Sequence, residues 1–121
     1  MPYHRLEVYR KAYQAALEVH KRSLRFPQIE QYGLAQQLRG SSKSIAANIA
    51  EGMGKQESPA DVKRFLRMAM GSCDETRVWI EFAKDLGYIE GIDGAQLEAG
   101  YQEISAMLNA LLRKVQGVAE S

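Results

Sequence analysis

The residues with the most chemical potential in this chain lie between positions 39 and 55, where Arg39, Lys43, Ser44, Asn48, Glu51 and Lys55 interrupt an otherwise apolar, small-residue segment. A guanidinium, an ammonium and a carboxylate turned inward could hold an anionic substrate and stabilise charge that develops on it. Arg39, Lys43 and Glu51 are the candidates for such a helical enzyme. The same residues also read as a structural network at a helix or subunit interface. Glu51 and Lys55 stand four apart in the favourable order for a helical ion pair, and Arg39 and Lys43 lie one turn apart. The structural reading leads, ahead of a ligand or nucleic-acid surface and of a small-anion pocket.

The other reactive residue types form no recognisable constellation. His4 and His20 have neither metal-ligand spacing nor an HExxH carboxylate between them, and His20 falls on an apolar helical stripe, where a packed imidazole is the simpler reading. Cys73 sits beside Gly71 and Ser72 with no base or cationic neighbour in view, so it reads as a small packed side chain rather than a nucleophile. As the single cysteine it excludes an intrachain disulfide and a thiolate zinc cluster. Gly52, Gly54 and Gly71 follow no strand and match neither a P-loop nor a dinucleotide fingerprint. No catalytic residue, cofactor or metal site is expected.

Basic residues suggest a different use. Lys21, Arg22 and Arg25 crowd the end of the first helical segment, where cations also favour the negative end of the helix dipole. The rival reading joins them to Arg5, Arg10, Lys11 or Lys55 as a phosphate-contacting patch, giving salt-dependent RNA binding without base readout. The candidate nucleic-acid or partner surface is therefore Lys21, Arg22, Arg25, Arg39, Lys43 and Lys55. Formal net charge is only +1, yet residues 1–67 carry 12 Lys/Arg against 6 Asp/Glu and residues 68–121 carry 4 against 9, so the halves differ as +6 and −5. Such a split forms a basic surface, or lets one half of a molecule meet the other half of a neighbour, unless folding interleaves the charges.

The elements that must position these groups are helices. With 121 residues, 45% hydrophobic and 26% charged, the chain fits one globular domain over 1–121. Leu6, Tyr9, Tyr13, Ala16, Leu17, His20 and Leu24 recur at spacings of three and four, with Val8, Ala12, Ala15 and Val19 as a second stripe. This predicts helix one over about 5–26, stopped by Pro27. Leu34, Leu38, Ile45 and Ile49 carry helix two, about 33–53. Ser58-Pro59-Ala60-Asp61 reads as a cap opening helix three, about 59–87, which Gly87 stops. Its second half bears Val78, Trp79 and Phe82, a broad apolar strip and the candidate oligomer interface. The face carrying Lys63, Arg67, Asp74, Arg77, Glu81 and Lys84 alternates in sign, as a solvated face or an intersubunit seam does. Asp93 is the expected cap of helix four, about 93–117, carrying Leu97, Tyr101, Ile104, Leu108, Leu111, Leu112 and Val115. Short connections make an all-α, antiparallel up-down-up-down four-helix bundle the simplest topology. No apolar run is long enough for a signal peptide or a membrane span, so a cytoplasmic location is expected.

Two blocks, YGLAQQLRGSSKSIAANIAEGMGK at 32–55 and RFLRMAMGSCDETR at 64–77, with DLGYI at 85–89, resemble the four-helix-bundle proteins encoded by intervening sequences of large-subunit (23S) ribosomal RNA genes. SIAANIAEG is the most specific stretch. The resemblance implies an antiparallel four-helix bundle that assembles into a ring-shaped homo-oligomer, a pentamer, with no cofactor and no known catalytic activity. It also implies a likeness in fold to the accessory variability proteins of diversity-generating retroelements, which are more basic than this near-neutral chain. The family motif falls on Tyr32, Gly33, Leu34, Leu38, Arg39, Ser44, Ile45, Asn48, Ile49, Glu51, Gly52, Arg64, Phe65, Gly71, Ser72 and Glu75, as family-defining structural positions.

Three functions follow as expectations. The first is a non-enzymatic homo-oligomeric scaffold that contacts RNA or an RNA-handling protein, weak phosphate contacts being multiplied by the copies. The second is a protein-interaction module with no nucleic-acid role. The third is the small helical enzyme with the Arg39, Lys43 and Glu51 anion pocket.

Overall fold

A computed structural model describes residues 2–120, with side chains up to residue 117. Four α-helices lie among the described residues: α1 Glu7–Ser23, α2 Leu34–Met53, α3 Pro59–Asp85 and α4 Gly91–Glu120. Single 3-10 turns at Tyr3–Arg5 and Gln28–Glu30 precede α1 and α2, and no strand occurs among the described residues. Each helix packs on its neighbours in chain order, and α1 also touches α4, closing the bundle. The pairs across each seam run in opposite directions. His20 and Ser23 of α1 meet Lys43 and Arg39 of α2, while Ser41 and Ser44 of α2 meet Thr76 and Ser72 of α3. Cys73 and Lys84 of α3 likewise meet Tyr101 and Glu98 of α4, so consecutive helices are antiparallel.

Local chemistry sets the helix ends. Ser58 Oγ accepts from the Asp61 backbone N–H at 3.3 Å, with Pro59 opening the first turn of α3. At the far end Gly87 takes φ +78, the one positive φ among the described residues, and Tyr88 N–H reaches back to Ala83 O at 2.8 Å. Asp93 does not cap α4. The helix starts at Gly91, which leaves Asp93 inside its first turn, near the positive end of the dipole and paired with Arg22.

Val19, Leu38, Ile45, Ile49, Leu66, Ile80, Tyr101, Ile104 and Leu108 fill the core with almost no exposure. Helix one turns Val8, Ala12 and Val19 of its second stripe, and only Ala16 of its first, fully into the core. Val8, Ala12, Ala16, Val19 and Ser23 face the core, whereas Tyr13 and Leu17 remain 47% and 41% exposed and Leu24 lies outside as well. Small side chains at 12 and 16 let α1 sit close against its neighbours, and that close seat leaves the bulky stripe outside.

The α2–α3 seam is polar within its apolar frame. Ser72 Oγ donates to Ser44 Oγ at 2.9 Å, Thr76 Oγ1 donates to Ser41 Oγ at 2.9 Å, and Asn48 Nδ2 donates to Ser44 O at 2.9 Å. These seam hydroxyls are tolerated because each finds a partner, whereas the Tyr101 hydroxyl, buried in the core, finds none. Gly52 completes the seam, since a Cβ there would stand 3.2 Å from Phe65 Cβ. Cys73 is fully buried, its thiol donating to Tyr101 O at 3.4 Å, and burial pushes its pKa up to about 11. It is a core side chain.

Candidate interaction surfaces

Arg39, first among the residues with chemical potential, is spent on the connection between α1 and α2. Its guanidinium donates to Ser23 Oγ at 2.9 Å, Gln31 Oε1 at 3.2 Å and Gln31 O at 2.8 Å. The Gln31 amide in turn donates to Ser23 O and Phe26 O, both at 3.0 Å. Glu30 fastens the other side of this connection, accepting from the Tyr88 hydroxyl at 2.9 Å and from Leu34 N–H at 3.3 Å. The planar fork of Arg39 is what allows three acceptors on two elements to be held at once.

Lys43, one turn further along α2, lies 3.0 Å from His20 Nδ1. An ammonium can only donate, so His20 accepts on Nδ1 in its neutral form. Partial burial, with the charges of Lys43 and Arg39, holds the imidazole below its ordinary pKa. Glu51 is exposed, and Lys55 lies beyond the end of α2 at Met53, so the helical geometry expected of that pair is interrupted and no ion pair joins them. Twelve residues of helix, on the order of 18 Å, separate Arg39 from Glu51. The three anion-pocket candidates do not converge.

The basic surface is likewise divided. Arg22 is held by Glu18 at 2.8 Å and Asp93 at 2.9 Å, and Lys11 by Glu103 at 2.9 Å. Arg10 donates to the carbonyls of His4 and Arg5. Lys21 and Arg25 stay exposed at the C-terminal end of α1, while Lys55 belongs to the opposite end of α2. Of the predicted patch, Lys21 and Arg25 near the end of α1 and Lys43 on α2 remain exposed, while Lys55 stands apart from them.

The family-motif positions separate by role. Gly33 precedes α2, where Glu30 Oε1 would lie 3.0 Å from a Cβ. Ser44, Asn48, Ser72 and Gly52 build the α2–α3 seam. Arg64 stacks its guanidinium 4.5 Å above the Phe65 ring and pairs with Asp61 at 3.6 Å. Gly71 faces open space, Glu51 and Glu75 are exposed, and Tyr32 is 87% exposed on the connection that Arg39 fastens.

Several apolar surfaces remain on the outside, one at Leu6, Met53, Val62, Leu111 and Val115 and two others on α3 and between α1 and α2. On α3, Val78 and Phe82 are 44% and 52% exposed, with Met68 and Leu86 also outside. Trp79 parts from them: it packs on the core, its ring centroid 6.0 Å from that of Phe82, and its indole N–H is buried without a hydrogen-bond partner. The last of these surfaces is a groove of about 350 Å³ between α1 and α2, walled by Tyr9, Tyr13 and Leu17 over a floor of Ala46, Ala47 and Ala50, with Lys43 on its rim. Sequence reasoning did not single out this groove. The doubled apolar stripe of helix one was its signal, because an arc that wide exceeds what one bundle core can cover.

A family model described as 23S rRNA-intervening sequence protein matches residues 4–110. Among solved structures, a protein of unknown function from the S23 ribosomal protein family of Bacteroides thetaiotaomicron superposes with a TM-score of 0.81 at 24% identity, over 88% of this chain and 95% of that one. At that identity the likeness concerns the fold. No curated protein matches the chain.

Proposed function

The chain belongs to the 23S rRNA-intervening sequence protein family, and on that premise we propose that it works in the cytoplasm as a non-enzymatic, homo-oligomeric scaffold contacting RNA through a small basic surface on each copy. The observation that carries the scaffold is the α3 strip. Val78, Phe82 and Leu86, at successive four-residue spacings, stand about half in water, and fully covering one such side chain is worth about 1.5–3 kcal/mol. A contiguous apolar surface of this kind marks an association site.

RNA contact rests on less, the exposed pair Lys21 and Arg25. Two cations bind phosphate weakly, and only repetition around an assembly would turn them into useful affinity. Enzymatic action through Arg39, Lys43 and Glu51 has no support in their placement, since two are engaged by other residues and the third is exposed on a distant turn.

Light scattering on a size-exclusion column at low and high salt tests the scaffold. A defined oligomer near five copies that persists at high salt is expected, and Phe82→Glu should reduce it to a single chain of unchanged helicity. A monomer at every concentration would overturn the scaffold reading. For RNA, filter binding to a structured RNA should weaken steeply with added salt and weaken further in Lys21→Glu/Arg25→Glu. Salt-insensitive capture of one protein, without RNA affinity, would instead favour an interaction module.

A further inference from the structure

The scaffold reading leaves the surface that receives the α3 strip undefined. We propose that the strip of one copy docks into the α1–α2 groove of the next, an inference that rests on the scaffold reading and specifies its contact. Three features of the chain point the same way.

The first is shape. Val78 and Phe82 lie four residues apart, so they project side by side from one face of α3 as two adjacent knobs. The groove is a depression of about 350 Å³ with an alanine floor between aromatic and leucine walls, which suits protruding apolar side chains. Tyr13 and Leu17 on its wall are themselves half-exposed, so both surfaces lose water on contact.

The second is charge. Exposed Asp74, Glu75, Glu81 and Asp85 lie within a turn of Val78 and Phe82, whereas exposed Lys43 stands on the rim of the groove. Strip against strip would oppose carboxylates, and groove against groove would oppose ammonium groups. Strip in groove sets opposite signs together, and complementary rims are what fix register between partners.

The third is symmetry. The strip lies on the outer face of α3 and the groove between α1 and α2, so the two surfaces occupy different sides of the bundle. A contact between them is heterologous: every copy offers one of each, and repetition generates a ring or an open chain rather than a two-fold dimer.

Cysteine cross-linking of the full chain decides the matter. Leu17→Cys and Phe82→Cys change exposed positions, and the native Cys73 is buried and stays out of the reaction. With a short bis-maleimide, the double variant should give a ladder of linked chains. An equal mixture of the two single variants should give dimers only, and each single variant alone should stay unlinked. Linking of Leu17→Cys alone would mean groove against groove, and of Phe82→Cys alone strip against strip; either overturns the proposal. If the wild type is an oligomer by light scattering but the double variant gives no ladder, this contact is wrong while the scaffold stands. A monomeric wild type removes both. As a second arm, Lys43→Glu and Glu81→Lys should each lower the assembled mass, and their combination in one chain should restore it. Failure of that restoration, with both singles folded, would also count against the pairing of the rims.

Discussion

The polar residues between 39 and 55 show how little a side chain's identity says before its partners are known. Arg39 has the chemistry of an anion clamp and the placement of a fastener, joining the buried Ser23 hydroxyl to both ends of Gln31. Arg39→Ala should lower unfolding stability by about 2 kcal/mol, since charge-assisted bonds are lost and their acceptors left without a donor. Arg39→Lys should restore little, because an ammonium cannot span the same fork. An unchanged urea midpoint in Arg39→Ala would show the network to be idle. His20 gives a pH prediction. Its pKa in the folded chain lies below the ordinary value of 6.5, through burial and then the charges of Lys43 and Arg39. The unfolded chain therefore takes up the proton first as pH falls, and stability should decline from about pH 6.5 downward. Urea midpoints at pH 8 and pH 5.5 should differ more in the wild type than in His20→Gln. Equal differences would remove His20 from the account.

At the scale of elements, the glycines separate helix propensity from packing. Gly52 lies where α2 approaches α3, and a methyl there would press on Phe65 Cβ, an atom tied to its own helix. Gly100 lies inside α4, with open space where a methyl would project. Gly100→Ala should raise stability by up to about 1 kcal/mol through helix propensity. Gly52→Ala should lower it, because separating two packed helices costs about 1–3 kcal/mol and outweighs the same propensity gain. Urea unfolding of both variants checks the pair, and a rise in both would mean that the seam has slack. Helix one carries the other element-scale lesson. Periodicity alone gives two stripes of nearly equal apolarity, and choosing between them requires knowing how closely the neighbouring helices approach.

For the molecule as a whole, the packing is uneven in a way that should be measurable. The α2–α3 seam combines the hydroxyl pairs with the close approach at Gly52 and the fully buried Leu38, Ile45, Ile49, Leu66 and Ile80. The α1–α4 seam is the least extensive of the four and is tied by exposed ion pairs such as Lys11 with Glu103, which contribute little individually. Native-state hydrogen exchange should therefore find its slowest amides in the middles of α2 and α3, with α1 opening earlier. Protection that is uniform across all four helices would contradict this ordering.

Much of the fold was legible in the sequence because helices are local. Spacings of three and four, the Ser58-Pro59 start and the Gly87 stop are properties of neighbouring residues, and four such segments with short connections leave few topologies. The blocks at 32–55 and 64–77 carried the family likeness for the same reason. What the tertiary structure alone decided is which surfaces are free. It assigned Arg39 to a connection, Arg22 to Asp93 and Glu18, Trp79 to the core, and Tyr13 and Leu17 to the wall of an open groove. Exposure and pairing depend on residues distant in sequence, such as Arg22 and Asp93, 71 positions apart, and no local spacing encodes them.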